Sequence, residues 1–202
     1  MRHARSSTIA LPEGVHAMPS RNRTAASGFA LVDLVVATLI LSLLAAIGIG
    51  GSRHVASRVR QASARTAMID TLMRAGTHAA LVGQRLVVCP STDQDTCSAH
   101  GSEWSHGWIS FQDRNADRMR SADERIVGSR RMSGQVRIIS SIGRPVVTFT
   151  RRGDAAGSNV TFTFCNRDGR GNASGIAMGN AALWRTVVPT AAAAARCKTA
   201  PR

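Results

Sequence analysis

Tyrosine is absent from this 202-residue chain, aromatic residues make up 4% of it, and Lys198 is its only lysine. Acidic residues are scarce too: 12 Asp+Glu stand against 26 Lys+Arg, a formal charge of +14. With lysine nearly missing, the positive charge is almost all guanidinium, which grips phosphate and carboxylate through paired N–H groups. Nucleic acid, lipid headgroups or an acidic protein would fit such a surface; so would plain solvent. No Gly-rich loop precedes a helix, which excludes the usual nucleotide-phosphate cradle. His3, His16, His54, His78, His100 and His106 are scattered. His100 and His106 flank Trp104 in a loop that also holds Glu103, but no nucleophile or metal spacing accompanies them. They read as solvated loop histidines. No catalytic constellation remains, no enzymatic activity is expected, and no cofactor or metal is implied.

What the chain does have is one long apolar run. Phe29–Gly51 holds 23 residues and a single charge, Asp33. At 1.5 Å per residue that is about 35 Å of helix, enough to cross a bilayer core with some tilt. An ordinary signal peptide has a shorter apolar core closed by an A-x-A-like site, and none closes this run. Arg2, Arg5, Arg21 and Arg23 precede it and favour a cytoplasmic N-terminus. The remainder then lies outside the inner membrane. A buried carboxylate is expensive, so Asp33 is read as functional rather than incidental. A plain signal anchor is the simpler alternative.

Gly28-Phe29-Ala30-Leu31-Val32-Asp33-Leu34 resembles the N-terminus of type IV pilins and pseudopilins. The resemblance implies cleavage by a prepilin peptidase between Gly28 and Phe29, N-methylation of Phe29, and retention of the helix in the membrane. It also implies that Asp33, standing where the family usually has glutamate, neutralises a neighbouring subunit's terminal amine. An opposite charge nearby offsets part of the burial cost. The leader, residues 1–28, is long for a prepilin, and Met18 is a candidate start.

Cys89, Cys97, Cys165 and Cys197 then fall in an exported, oxidising context, where four cysteines allow three pairings. Cys89–Cys97 would close a short polar loop. Cys165–Cys197 would pin the C-terminal tail to a strand. A four-thiolate zinc site is the alternative, but the close C-x2–4-C pairs of such sites are missing.

After the membrane run, Val55, Val59, Ala62, Ile69, Leu72, Met73, Ala79 and Leu81 recur near helical spacing, with arginines on other faces. Gly48, Gly50 and Gly51 loosen the junction, and Gly83 is a plausible stop. Short strands follow at 85–89, 108–111, 125–127, 136–139, 146–150, 160–164 and 183–188, separated by turn residues. Trp184 is read as a core residue. The tail from Pro189, with its five consecutive alanines, reads as low complexity, loose unless Cys197 ties it down.

The expected fold class is α+β. A long N-terminal hydrophobic helix, membrane half plus amphipathic stem, packs on a C-terminal antiparallel β domain. The expected parts are a cleaved basic leader (1–28), a membrane and fibre-core helix (29–51), a stem helix (52–82), a periplasmic β-rich domain (83–188) and a tail (189–202).

The soluble half carries a second resemblance. Val88-Cys89-Pro90-Ser91, Cys97, Trp104 and Gly107-Trp108-Ile109-Ser110-Phe111-Gln112-Asp113-Arg114-Asn115-Ala116-Asp117 look like the GspH/FimT branch of the pseudopilins. That resemblance implies a minor subunit of a type II secretion pseudopilus or a type IV pilus. Its partners would be other major and minor pilins, the prepilin peptidase, the inner membrane, and secreted cargo or DNA. Members that bind DNA in natural transformation carry G-R-x-R near the C-terminus. Here Ala182-Leu183-Trp184-Arg185 matches only at Arg185, although Arg167, Arg170, Arg196 and Lys198 keep the region basic. Binding of DNA through them would be electrostatic and salt-sensitive.

Asp113, Asn115 and Asp117, with Glu124 at the twelfth position, match much of a calcium-loop pattern. The sixth position needs glycine for a sharp turn and is Arg118. The stretch therefore reads as a turn whose Asp and Asn side chains cap their own backbone, with calcium the alternative.

Overall fold

The protein is described here by a computed structural model covering residues 29–99, 101–169 and 171–199, without the side chains of 29–30 and 46–54. It divides into two units, Met1–Ala46 and Ile47–Arg202.

A single helix, α1 (Phe29–Val82), enters both units. In the first unit the described side chains are those of 31–45, and every large apolar one is exposed, from Leu31 to Leu44. Among the described residues no helix is long and apolar enough to cross a membrane. Those described side chains fall short of the roughly 20 residues such a crossing takes.

The second unit holds the rest of α1 and two antiparallel sheets. Gly83, at φ +61°, ends the helix, and the Gln84 N–H donates back to the Ala79 carbonyl at 3.2 Å. A glycine in the left-handed region followed by that six-to-one bond satisfies a carbonyl the helix end would otherwise leave bare. The strands are β1 (Leu86–Pro90), β2 (Gly107–Gln112), β3 (Ile126–Arg131), β4 (Val136–Ser140), β5 (Val147–Phe149), β6 (Val160–Asn166), β7 (Ser174–Met178) and β8 (Trp184–Val187). One sheet has the order β3-β2-β1-β5, the other β4-β6-β7-β8.

The main core lies where one face of each sheet meets the stem. Leu86 and Val88 of β1, Trp108 of β2, Ile138 of β4, Phe149 of β5, Phe162 and Phe164 of β6, and Ile176 of β7 are buried together. From α1 come Ala64, Met68, Leu72, Ala75 and Ala79, at steps of three or four residues. Ser57 and Gln61 extend the same buried stripe, and the Ser174 hydroxyl donates to Gln61 Oε1 at 3.1 Å. Trp108 Nε1 donates to Thr71 Oγ1 at 2.8 Å, tying β2 to the helix. Trp104 meets Phe162 edge-on, ring centres 5.0 Å apart.

The buried stripe is not the one expected from hydrophobicity. Leu72 and Ala79 belong to it, but Val55, Val59, Met73 and Leu81 are exposed. Small residues win the inner face because the helix lies close to the sheet. A methyl group added at Gly76 would come within 3.1 Å of the Gly153 carbonyl and 3.3 Å of the Phe149 ring.

Smaller clusters cover the outer face of each sheet. Val87, Cys89, Ile109 and Phe111 are joined by Cys97, Ile126 and Val146. Ile139 and Cys165 lie under a second helix, α2 (Ala191–Thr199). The alanine-rich tail, expected to be loose unless Cys197 tied it down, is helical over Ala191–Thr199, with Cys197 bonded to Cys165. Alanine has the highest helix propensity, and the Thr190 hydroxyl accepts from the Ala193 N–H as an N-cap.

Candidate functional site

Gly28 and Arg170 lie outside the described residues, and so does the side chain of Phe29, the first residue of α1. Asp33 sits about one turn further on, exposed among the apolar residues of the first unit.

In the second unit, disulfides join Cys89 to Cys97 and Cys165 to Cys197. The first closes the loop after β1. Within that loop Asp93 accepts from the Ser91 hydroxyl, the Asp95 and Thr96 N–H groups and the Thr96 hydroxyl. The Thr96 hydroxyl first, then the two N–H groups and Ser91, hold the Asp93 carboxyl well below the usual carboxylate range. The second disulfide clamps α2 to β6. Arg137 of β4 was not singled out by its sequence, yet it is buried and donates through Nη1 to the Cys197 and Lys198 carbonyls, both at 3.2 Å. A guanidinium at a helix C-terminus satisfies bare carbonyls and complements the helix dipole. An arginine at an outward strand position gives no sequence signal of that duty.

The basic residues named for DNA are not gathered at one point. Arg196 reaches the Ser140 carbonyl at 3.4 Å, and Lys198 is exposed beside it on α2. Arg167 is exposed just beyond β6, its N–H bonded to the Gln135 carbonyl. Arg185 is exposed on the edge strand β8, in register with Ala177 and, through it, with Thr161. From the level of Thr161 to that of Arg167 is six residues of strand, on the order of 20 Å. Asp168, next to Arg167, pairs with Arg60 of the stem at 3.6 Å.

Trp184 is not a core residue. It stands 41% exposed on β8, between Leu183 and Arg185, which are exposed as well. The strand is at the sheet edge, so its core-facing position is covered on one side only.

The acidic loop after β2 does not bring its oxygens together. Asp113 is buried, and Arg85 Nε stands 3.3 Å from its Oδ2. Glu124 is turned inward, accepting from the Arg114 N–H at 2.8 Å and the Ser121 N–H at 3.0 Å. Asn115 donates to Asp117, whose other oxygen accepts from the Met119 N–H. The side chains serve the loop's own backbone. Among the described residues no cluster of three or more His, Cys, Asp or Glu could hold a metal.

The loop around Trp104 holds no site either. Trp104 is fully buried, the Ser105 hydroxyl donates to Glu103, and His106 is exposed; His100 is outside the described residues.

Residues 64–181 match the family model described as Type II transport protein GspH. Two solved structures are similar. One is the type IV minor pilin FimU of Pseudomonas aeruginosa PAO1: 13% identity, TM-score 0.48, over 64% of this chain and 90% of that one. The other is the minor pseudopilin EpsH from the Type 2 Secretion System of Vibrio cholerae: 10% identity, TM-score 0.45, over 65% of this chain and 98% of that one. No curated protein matches the chain.

Proposed function

Because this chain belongs to the GspH family of type II transport proteins, we propose that it is a minor pseudopilin. It would be a structural subunit of a type II secretion pseudopilus or a type IV pilus, and its work is assembly rather than chemistry. The observation that carries this reading is the first unit: from 31 to 45 every large apolar side chain is exposed, with one carboxylate, Asp33, among them. A helix apolar all round needs lipid or other apolar helices around it. Its lone carboxylate needs a cation there. The free amine created at Phe29 of a neighbouring subunit supplies one.

In this reading the basic leader stays in the cytoplasm and prepilin peptidase cuts between Gly28 and Phe29. Phe29 is then methylated, and residues 29–51 hold the protein in the inner membrane until they enter the fibre. The β domain faces the periplasm, where other pilins or secreted cargo meet it. Within the second unit, the exposed Val55, Val59 and Met73 of the stem offer neighbours a further apolar surface.

Intact mass of the membrane-extracted protein tests it. The mass should correspond to a chain starting at methylated Phe29. An uncut leader in the mature protein, with an active peptidase present, would end the reading. Asp33→Ala should leave processing intact and reduce incorporation into fibres.

One observation favours a second reading, a DNA-binding minor pilin for natural transformation. Trp184 and Arg185 are both exposed on the edge strand β8, on opposite faces of it, Trp184 in register with Met178 and Arg185 with Ala177. The indole offers a base a face to stack on, and the guanidinium separately offers a phosphate a fork. Arg167, Arg170, Arg196 and Lys198 would add non-specific attraction. Binding should then weaken steeply with salt and drop further in Arg185→Ala. Binding unchanged in Arg185→Ala and Trp184→Ala argues for charge alone.

A further inference from the structure

We propose that the second unit contains a phosphate-binding cleft, separate from the β8 edge, formed where the end of α1 meets β5 and the loop after β2. The cleft has a volume of about 470 Å³, and its lining includes Arg85, Asp113, Arg114, Arg118, Thr148 and Arg151. This inference does not rest on the assembly reading or on the DNA reading.

The charges in the cleft do not balance. Four guanidiniums face one carboxylate. Asp113 is already held by Arg85, whose Nε lies 3.3 Å from Oδ2. Among the described residues, Arg114, Arg118 and Arg151 have no ion-pair partner. Three unpaired cations, each exposed on the rim of one concavity, repel one another through solvent, and their fields add there. An anion relieves that repulsion.

A second, independent feature points the same way. Thr148 is 5% exposed and its Oγ1 has no hydrogen-bond partner. Its neighbours are occupied: the Thr148 N–H donates to the Ser158 hydroxyl at 3.0 Å, and the Ser158 N–H donates to the Ala155 carbonyl. A buried hydroxyl is normally paired, so one left over in the wall of a basic cleft is a donor awaiting an acceptor. Asp113 behaves consistently. Its two carboxylate oxygens are buried without a hydrogen bond, so Arg85 engages it by charge and not by a formed bond.

The set of donors selects the ligand class. A carboxylate carries one charge and is satisfied by one guanidinium fork. A phosphate group carries up to two charges and three or four acceptor oxygens. Three free forks and a hydroxyl match it, and arginine is the residue suited to that geometry. The ligand is therefore inorganic phosphate or a small phosphate monoester.

The test uses the full chain in detergent micelles, followed by isothermal calorimetry at fixed ionic strength. The titrants are inorganic phosphate, glycerol 3-phosphate and succinate. The variants are Arg118→Gln/Arg151→Gln, Thr148→Val and, as a control outside the cleft, Arg125→Gln/Arg131→Gln. Saturable one-to-one phosphate binding is expected, weakened at least tenfold in the cleft double variant and unchanged in the control. Thr148→Val should bind several-fold more weakly while unfolding at the same or a higher temperature, because it removes an unpaired buried hydroxyl. That combination separates a ligand donor from a structural hydroxyl. Glycerol 3-phosphate binding as tightly as inorganic phosphate assigns the site to monoesters, and binding of inorganic phosphate alone assigns it to the free anion. Absence of saturable binding, equal loss in the control variant, or succinate binding as tightly as phosphate would each overturn the proposal.

Discussion

Gly83 and Gly153 both hold left-handed backbone conformations, at φ +61° and +85°, yet an added methyl group meets different surroundings at each. At Gly83 nothing lies within 4 Å; at Gly153 the Gly76 carbonyl oxygen would stand 2.8 Å away. Gly83→Ala should therefore cost only the backbone term, about 1 kcal/mol. Gly153→Ala adds a clash that moves α1 off the β5–β6 turn, and should cost roughly 3 kcal/mol. Denaturant titration of the two variants checks the ordering. Asp93 gives a pH prediction at the same scale. Its folded pKa is depressed, so its contribution is present above the ordinary carboxylate range and lost as pH falls through the folded value. In a carboxyl NMR titration Asp93 should stay ionised well below the ordinary carboxylate range. Asp93 titrating within that range would mean that its four hydrogen bonds are not formed.

At the scale of elements, α2 and the Cys89–Cys97 loop are held in ways that can be compared. The disulfides span sequence separations of 32 and 8 residues. On the loop-entropy estimate they contribute about 3.7 and about 2.5 kcal/mol. Cys165→Ser/Cys197→Ser should thus destabilise the domain more than Cys89→Ser/Cys97→Ser, and should also make the 191–199 segment the first site of proteolysis. Equal losses would show that Arg137 and the N-cap hold α2 without the disulfide. The sequence made most of these elements legible, because β-branched and aromatic residues cluster in β1, β2, β4, β5 and β6. It hid β7, whose Ser-Gly-Ile-Ala-Met run lacks β-branched residues except Ile176; that strand exists because β6 and β8 pair with it on both sides. It hid the buried face of the stem for a related reason. Two apolar stripes run along that helix, and close approach to Gly153 selected the one with smaller side chains. Trp184 was misplaced because strand propensity does not say whether a strand is central or at an edge. The charge in the cleft beside β5 was legible as arginines but not as a cluster, since Arg85, Arg114 and Arg151 come together only through tertiary pairing.

At the scale of the whole molecule, the burial pattern divides the chain where the contacts do. Met1–Ala46 is one unit and Ile47–Arg202 the other. The described apolar side chains of the first have no cover of their own, whereas the second buries Trp104, Trp108, Phe149, Phe162 and Phe164 completely. A self-contained core of that size is what an independently stable domain needs, and exposed apolar helix is what detergent is needed for. A chain reduced to 47–202 should therefore be soluble without detergent, unfold cooperatively, and keep both disulfides. The full chain should require micelles. Replacing Leu34, Leu39 and Leu43 by serine should lower its detergent requirement without moving the unfolding temperature of the domain, because none of the three lies in the second unit. Analytical ultracentrifugation with and without detergent, run beside thermal unfolding, separates the two effects. If the 47–202 chain aggregated while the serine variant stayed soluble, the apolar surface responsible would lie on the domain instead, with the exposed Leu183, Trp184 and Val188 of the β8 edge the first place to look.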